Sequence, residues 1–259
     1  MSNTQFTLVQ IDNYGPWTVT PHPRREPDLQ ALQAQLYADL AQFVGTRSGY
    51  VFFARFDNVV AVTNGMGMDA HERLQQTVAN RYPVTVSVAV AADRTPADAL
   101  ASASATLQEA GSAQDGDRRE VLRGDPLPER ARSDDDVHVA HFDVVDATAK
   151  YTDRASAAEV LVRVQRAYVE LAEHLLHEDD AVAFFVGGDN VIAVCPNLDR
   201  ARYAAAVDHV ADAADIELQV GIGGGRTAAV AGMAAKRALE DCRVNESRVE
   251  CATAAAGGD

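Results

Sequence analysis

The sequence predicts an α+β chain made by tandem duplication of a ferredoxin-like β-α-β-β-α-β domain, each copy an antiparallel sheet backed by helices. Three observations carry this expectation. Residues 181–197, AVAFFVGGDNVIAVCPN, read as two short strands rich in β-branched and aromatic residues around Gly187-Gly188-Asp189-Asn190, a strong hairpin signal. Residues 50–65, YVFFARFDNVVAVTNG, repeat the pattern around Asp57-Asn58. Each hairpin also follows a strand ending in an acid, Asp12 in TLVQIDN and Asp143 in VHVAHFDVVD, at intervals of 45 and 46 residues. A self-similarity of this length is a repeated domain rather than a solenoid unit.

The elements follow in order. Residues 5–12 are a strand, and NYGPWTVTPHPRREP after it is a long loop with four prolines and the only tryptophan. Leu29, Leu32, Leu36, Leu40 and Phe43 fall at three- and four-residue spacing and predict a helix over 28–43, stopped by Gly45. After the first hairpin come a helix near 69–80, a strand over 84–91, and a helix from Thr95-Pro96 to Gly111. The charged stretch 112–136 reads as a short helix at 117–122 and a linker. In the second copy, Ser156 and Glu159 form a capping box ahead of a long helix. The GGDN hairpin, a helix over 199–213, a strand over 216–222 and a helix capped by Thr227 complete it. The expected domains are thus 1–115 and 137–250, with 116–136 a linker and 251–259 a frayed tail.

Two such domains fit 259 residues, and 47% hydrophobic content suits a globular chain. The N-terminus has no basic region followed by an apolar run, and no apolar stretch is long enough to span a bilayer, so a cytoplasmic protein is expected. Net charge is −15, and Lys150 and Lys236 are the only lysines. That balance argues against nucleic-acid or anionic-membrane partners and resembles proteins of salt-loving organisms. Cys195, Cys242 and Cys251 make no metal or disulfide pattern.

In this topology the first strand and the hairpin are neighbours, so Asp12 meets Asp57 and Asp143 meets Asp189 at a sheet end. Converging carboxylates repel unless a cation lies between them, and hard oxygen ligands favour Mg²⁺. The four acids are therefore the expected metal ligands. As a hairpin tip and a strand end, Asp189 and Asp143 are expected to be exposed and to contribute little to packing. His141 shares a sheet face with Asp143 and is a candidate for proton transfer.

GGDN is close to the GGDEF motif of diguanylate cyclases, with Asn190 in place of Glu, and FDVVDAT (142–148) resembles the first-strand motif of class III nucleotidyl cyclases; such sheets also resemble polymerase palms. A longer resemblance, to archaeal GTP cyclohydrolase III (also called IIa), runs through VQIDNYGPWTVTPHPRRE (9–26), FDN (56–58), NRYPVTVS (80–87), GSAQD (111–115), AHFDV (140–144), FFVGGDN (184–190) and GIGGGRTA (221–228). It implies Mg²⁺-dependent opening of the guanine imidazole ring of GTP to 2-amino-5-formylamino-6-ribosylamino-4(3H)-pyrimidinone 5′-monophosphate, with release of phosphate, for riboflavin and F420 synthesis. Asp143, Asp189 and His141 are then the expected catalytic residues. Asn13, Arg24, Arg25, Asn58, Asn190 and Arg226 are expected to bind substrate. The second half is expected to hold the metal and the first to read the base. A homo-oligomer is expected because cyclase-like domains pair. The alternatives are a nucleotidyl cyclase acting on GTP or ATP, and a non-catalytic nucleotide-binding regulator.

Overall fold

The computed structural model describes residues 3–128 and 137–253, which form two compact units, chiefly 3–128 and 137–253. In the first, β1 (Thr4–Ile11) is followed by α1 (Tyr14–Val19), α2 (Glu26–Gly45), the hairpin β2 (Tyr50–Arg55) and β3 (Asn58–Val62), α3 (Met68–Arg81), β4 (Val86–Asp93), α4 (Pro96–Glu109) and β5 (Leu122–Gly124). The second has β6 (Val137–Val144), one wide helical turn at Thr148–Thr152, α5 (Ala157–Asp179), the hairpin β7 (Val182–Gly187) and β8 (Asn190–Cys195), α6 (Arg200–Ala214), β9 (Leu218–Gly225), α7 (Ala228–Asn245) and β10 (Val249–Thr253).

The sheet orders are β2-β3-β1-β4-β5 and β7-β8-β6-β9-β10. In each, the first four strands are antiparallel in the split β-α-β order, which is the duplicated fold expected from the sequence. Each sheet carries a fifth strand that the sequence reading missed. β5 joins β4 in parallel and β10 joins β9 in parallel. The stretch 117–122 is turns rather than a short helix, and 122–124, assigned to the linker from its charge, belongs to the sheet. The tail assigned from residue 251 begins inside β10; its last six residues lie outside those described, as do 129–136 of the linker. The loop after β1 contains α1.

Alternation along the first strands sorts their side chains between two layers. Val9 and Ile11 enter a core with Leu36, Leu40, Leu74 and Val78 from α2 and α3. Phe142 and Val144 enter the matching core with Leu171, Leu175, Tyr203 and Val207 from α5 and α6. The other face carries Leu8, Gln10 and Asp12 in one unit, and Val139, His141 and Asp143 in the other.

On that second face the repeats diverge. His141 and Val139 pair with Gly221 and Gly223 of β9, where Gln10 and Leu8 pair with Ser87 and Ala89 of β4. A Cβ on Gly223 would sit 2.3 Å from Ala231 O and Ala235 N, and one on Gly221 2.2 Å from Ala235 O and Leu239 N. The alanine-rich helix α7 therefore lies directly on the strand backbone, with Ala231, Ala234, Ala235 and Ala238 buried. In the first unit Ser87 and Ala89 stand at the matching positions, and a cavity of about 560 Å³ is lined by sheet residues and by Leu100, Ser104 and Leu107 of α4.

Gly223→Ala is expected to cost about 1–3 kcal/mol, because backbone rather than a flexible side chain must move. Gly45→Ala, with nothing within 4 Å of its Cβ, is expected to be near neutral. Urea unfolding at constant KCl checks both.

Candidate active site

The rim of the second sheet brings two acids together. Asp143, in the last turn of pleat of β6, pairs in register with Asn190, the first residue of β8. Gly187 and Gly188 take φ of 112° and 64°, a region that L side chains avoid, and their tight turn sends Asp189 out beside Asp143. Both acids line a cleft of about 910 Å³, together with Asn190, Gln219, Arg243, Arg248 and the loop after β6.

Asp143 is buried, which corrects the expectation that it is exposed. Its Oδ2 accepts hydrogen bonds from Gln219 Nε2 at 3.0 Å and Arg243 Nη2 at 2.8 Å. The Asp189 carboxyl is pushed above its ordinary pKa, first by burial and then by the negative charge of Asp143, and Arg243 offsets part of this. Asp143 and Asp189, two of the four expected metal ligands, thus line one cleft, with Arg243 bonded to Asp143. Two carboxylates, with water and phosphate oxygens to complete the shell, suit Mg²⁺. Among the described residues no group of three or more acidic, His or Cys side chains is placed to hold a metal.

Asn190 and His141 set the hairpin. Asn190 Nδ2 donates to Asp189 Oδ1 at 3.0 Å, so Asn190 Oδ1 is an acceptor and His141 Nε2, 2.8 Å away, carries the proton. Burial, ahead of the charges around it, holds the His141 pKa below its ordinary value. His141 does not line the cleft. The expected proton-transfer group is thus hydrogen-bonded to the hairpin and set back from the cleft lining. The first unit repeats the relay with Gln10 in place of His141: Gln10 Nε2 donates to Asn58 Oδ1 at 2.9 Å and Asn58 Nδ2 donates to Asp57 Oδ1 at 2.9 Å.

The first pair of acids is not a second copy of the site. Asp12 is buried and accepts from Ser87 Oγ (2.6 Å), Thr85 Oγ1 (2.8 Å) and the Glu120 amide (2.9 Å). It borders a cavity of about 230 Å³ with Asn13, Trp17 and Arg119, and Asp57 does not line that cavity. Asp57 instead accepts from Asn58 and from Arg55 at 3.4 Å. Asp12 and Asp57, two of the four expected metal ligands, thus differ in surroundings: Asp12 is met by neutral internal donors and Asp57 by its own hairpin. Asn58 borders the 560 Å³ cavity beside Gln10, with Leu8, Val60, Leu100 and Leu107 as its apolar walls.

The predicted arginines are elsewhere. Arg24 stacks on the Trp17 ring at 3.8 Å and donates to the Trp17 and Thr20 carbonyls. Arg25 forms a two-pronged pair with Asp28, and Arg226 is exposed. None of the three lines the cleft beside Asp143 and Asp189. The cationic groups there are Arg243 and Arg248, which the sequence reading missed. Arg243 reaches Asp143 across 100 residues of sequence, so no local spacing marks it. The visible signal was indirect: the glycines of GIGGG let α7 lie close enough to bring its last turn to the rim.

Across residues 5–255 the chain matches the family model described as GTP cyclohydrolase III. The chain belongs to the GTP cyclohydrolase III family. It is 58% identical to GTP cyclohydrolase III of Natronomonas pharaonis, over 97% of this chain and 100% of that one. It is 56% identical to GTP cyclohydrolase III 1 of Halobacterium salinarum, over 96% and 98%. GTP cyclohydrolase III of Methanococcus maripaludis is 45% identical, over 92% and 88%. Among the described residues no helix is long and apolar enough to cross a membrane.

In metal-free protein, Asp143→Asn is expected to lower the Asp189 pKa. The neighbouring negative charge is gone, and Arg243, released from Asp143, still favours the carboxylate. Carbon-detected NMR titration after chelation checks this, and an unchanged Asp189 pKa contradicts the pairing.

Proposed function

We infer that this chain is a GTP cyclohydrolase. The observation that carries the reading is the match to GTP cyclohydrolase III relatives over nearly the whole of both chains. We propose that it opens the guanine imidazole ring of GTP, giving 2-amino-5-formylamino-6-ribosylamino-4(3H)-pyrimidinone 5′-monophosphate and inorganic phosphate, and so feeds riboflavin and F420 synthesis.

The cleft of the second unit suits the triphosphate end of such a substrate. Asp143 and Asp189 would hold Mg²⁺, which when bound neutralises phosphate charge and lowers the pKa of attached water. Arg243 compensates Asp143 in the substrate-free chain. Arg243, beside Arg248 on the same cleft, would donate to phosphate oxygens of the bound substrate. His141 and Asn190 keep Asp189 aimed at the cleft.

GTP and Mg²⁺ incubated with the chain in high KCl are expected to yield the formamidopyrimidine and phosphate. Asp189→Ala and Asp143→Ala are expected to lower kcat by at least about a hundredfold, the scale of losing a group that holds transition-state charge. Far-UV circular dichroism should stay native for Asp189→Ala, whose side chain is not part of the core. Intact GTP, or a cyclic nucleotide as product, contradicts the proposal.

A further inference from the structure

One arginine of the first unit turns inward from a loop that is otherwise exposed. Within residues 111–120, GSAQDGDRRE, Arg118 alone is buried, at 5% exposed, while Asp115, Asp117, Arg119 and Glu120 stay outside. Its Nη1 donates to Gln10 Oε1 at 2.8 Å. Gln10 Nε2 donates in turn to Asn58 Oδ1, and Asn58 Nδ2 to Asp57 Oδ1. A guanidinium can only donate and a carboxylate can only accept, so the two ends fix the orientation of both amides between them.

The rest of the Arg118 fork has no partner. Nε and Nη2 are buried and bond nothing among the described residues. Acids are near in sequence and space, and none pairs with this edge. Asp115 Oδ1 accepts from the Asp117 amide, and Asp12 accepts from Ser87, Thr85 and the Glu120 amide. Burial holds the Arg118 pKa below its ordinary value, and the charge of Asp12 offsets part of this. A buried cation with idle donors is costly unless an acceptor of opposite charge meets it. The N–H groups of Nε and Nη2 point the same way along one edge of the planar fork and can share one anion. Arg118 lines neither the 560 Å³ nor the 230 Å³ cavity, which favours an acceptor of single-atom size over an oxoanion. Water at that edge would satisfy the donors and leave the charge uncompensated; a halide does both.

We propose that the Nε–Nη2 edge of Arg118 is a halide site, filled by chloride in salt, and that the bound anion steadies the hydrogen-bonded chain from Arg118 to Asp57. Crystals of the full chain grown in KBr, measured at the bromine absorption edge, test its position. An anomalous peak is expected against Nε and Nη2 of Arg118. Thermal unfolding at constant potassium, with chloride exchanged for methanesulfonate, tests binding in solution. The wild-type melting temperature is expected to rise by roughly 2–5 °C for each tenfold increase in chloride above the dissociation constant. Arg118→Met is expected to lose this response. Arg118→Gln, which removes the charge and keeps a polar side chain, is expected to lose it too and serves if the methionine variant does not fold. An edge without anomalous density, or a chloride response that a folded variant retains in full, overturns the proposal.

Discussion

Two carboxylates held side by side at the end of a β-sheet are the constraint around which the second unit is built. Asp143 lies on β6 and Asp189 in the β7–β8 turn, and their like charges oppose the approach that the sheet order imposes. What permits it is the cation that compensates them, here the guanidinium of Arg243, bonded to Asp143 at 2.8 Å. Arg243 in turn depends on where α7 lies, and α7 lies close because Gly221 and Gly223 carry no side chain. The chemistry of the rim therefore rests on two glycines in the middle of a strand.

The duplication makes the dependence visible, because the first unit has the same frame without the same result. Its hairpin carries the same Asp-Asn pair, and Asn58 locks Asp57 as Asn190 locks Asp189. Its strand β4 has Ser87 and Ala89 where the glycines stand. Ser87 turns its hydroxyl to Asp12, and residues of α4 line a cavity with those of the sheet. One copy thereby has an open acidic rim under a tightly seated helix. The other has a satisfied acid and a cavity lined by Gln10, Asn58 and aliphatic side chains. The two units have diverged toward a polar cleft lined by acids and arginines and a largely apolar slot while keeping one topology.

Much of this was legible in the sequence. The hairpins, the strand-end acids and the interval between them specify the duplicated fold, because alternation, glycine turns and helical spacing are local signals. The convergence of Asp143 and Asp189 follows from topology alone. What was not legible depended on contacts distant in sequence. β5 is three residues long and β10 has little alternation, so neither announces itself. The burial of Asp12 comes from Thr85, Ser87 and the Glu120 amide, more than 70 residues away. His141 was named from the chemistry of histidine and its sheet face; its bond to Asn190 across the sheet was not readable from local spacing. Arg243, Arg248 and Gln219 have no motif, and Arg24 and Arg25, which stand out as a basic pair, bind their own loop.

The central proposal is that divalent cations bind at the second rim and not at the first. Electron paramagnetic resonance of Mn²⁺, titrated into the chelator-treated full chain at high KCl without nucleotide, measures this directly. The account predicts a bound population that weakens at least about tenfold in Asp189→Asn, as expected for loss of a metal-site group, and is unchanged in Asp57→Asn. Equal loss in both variants, or no loss in Asp189→Asn, would contradict it.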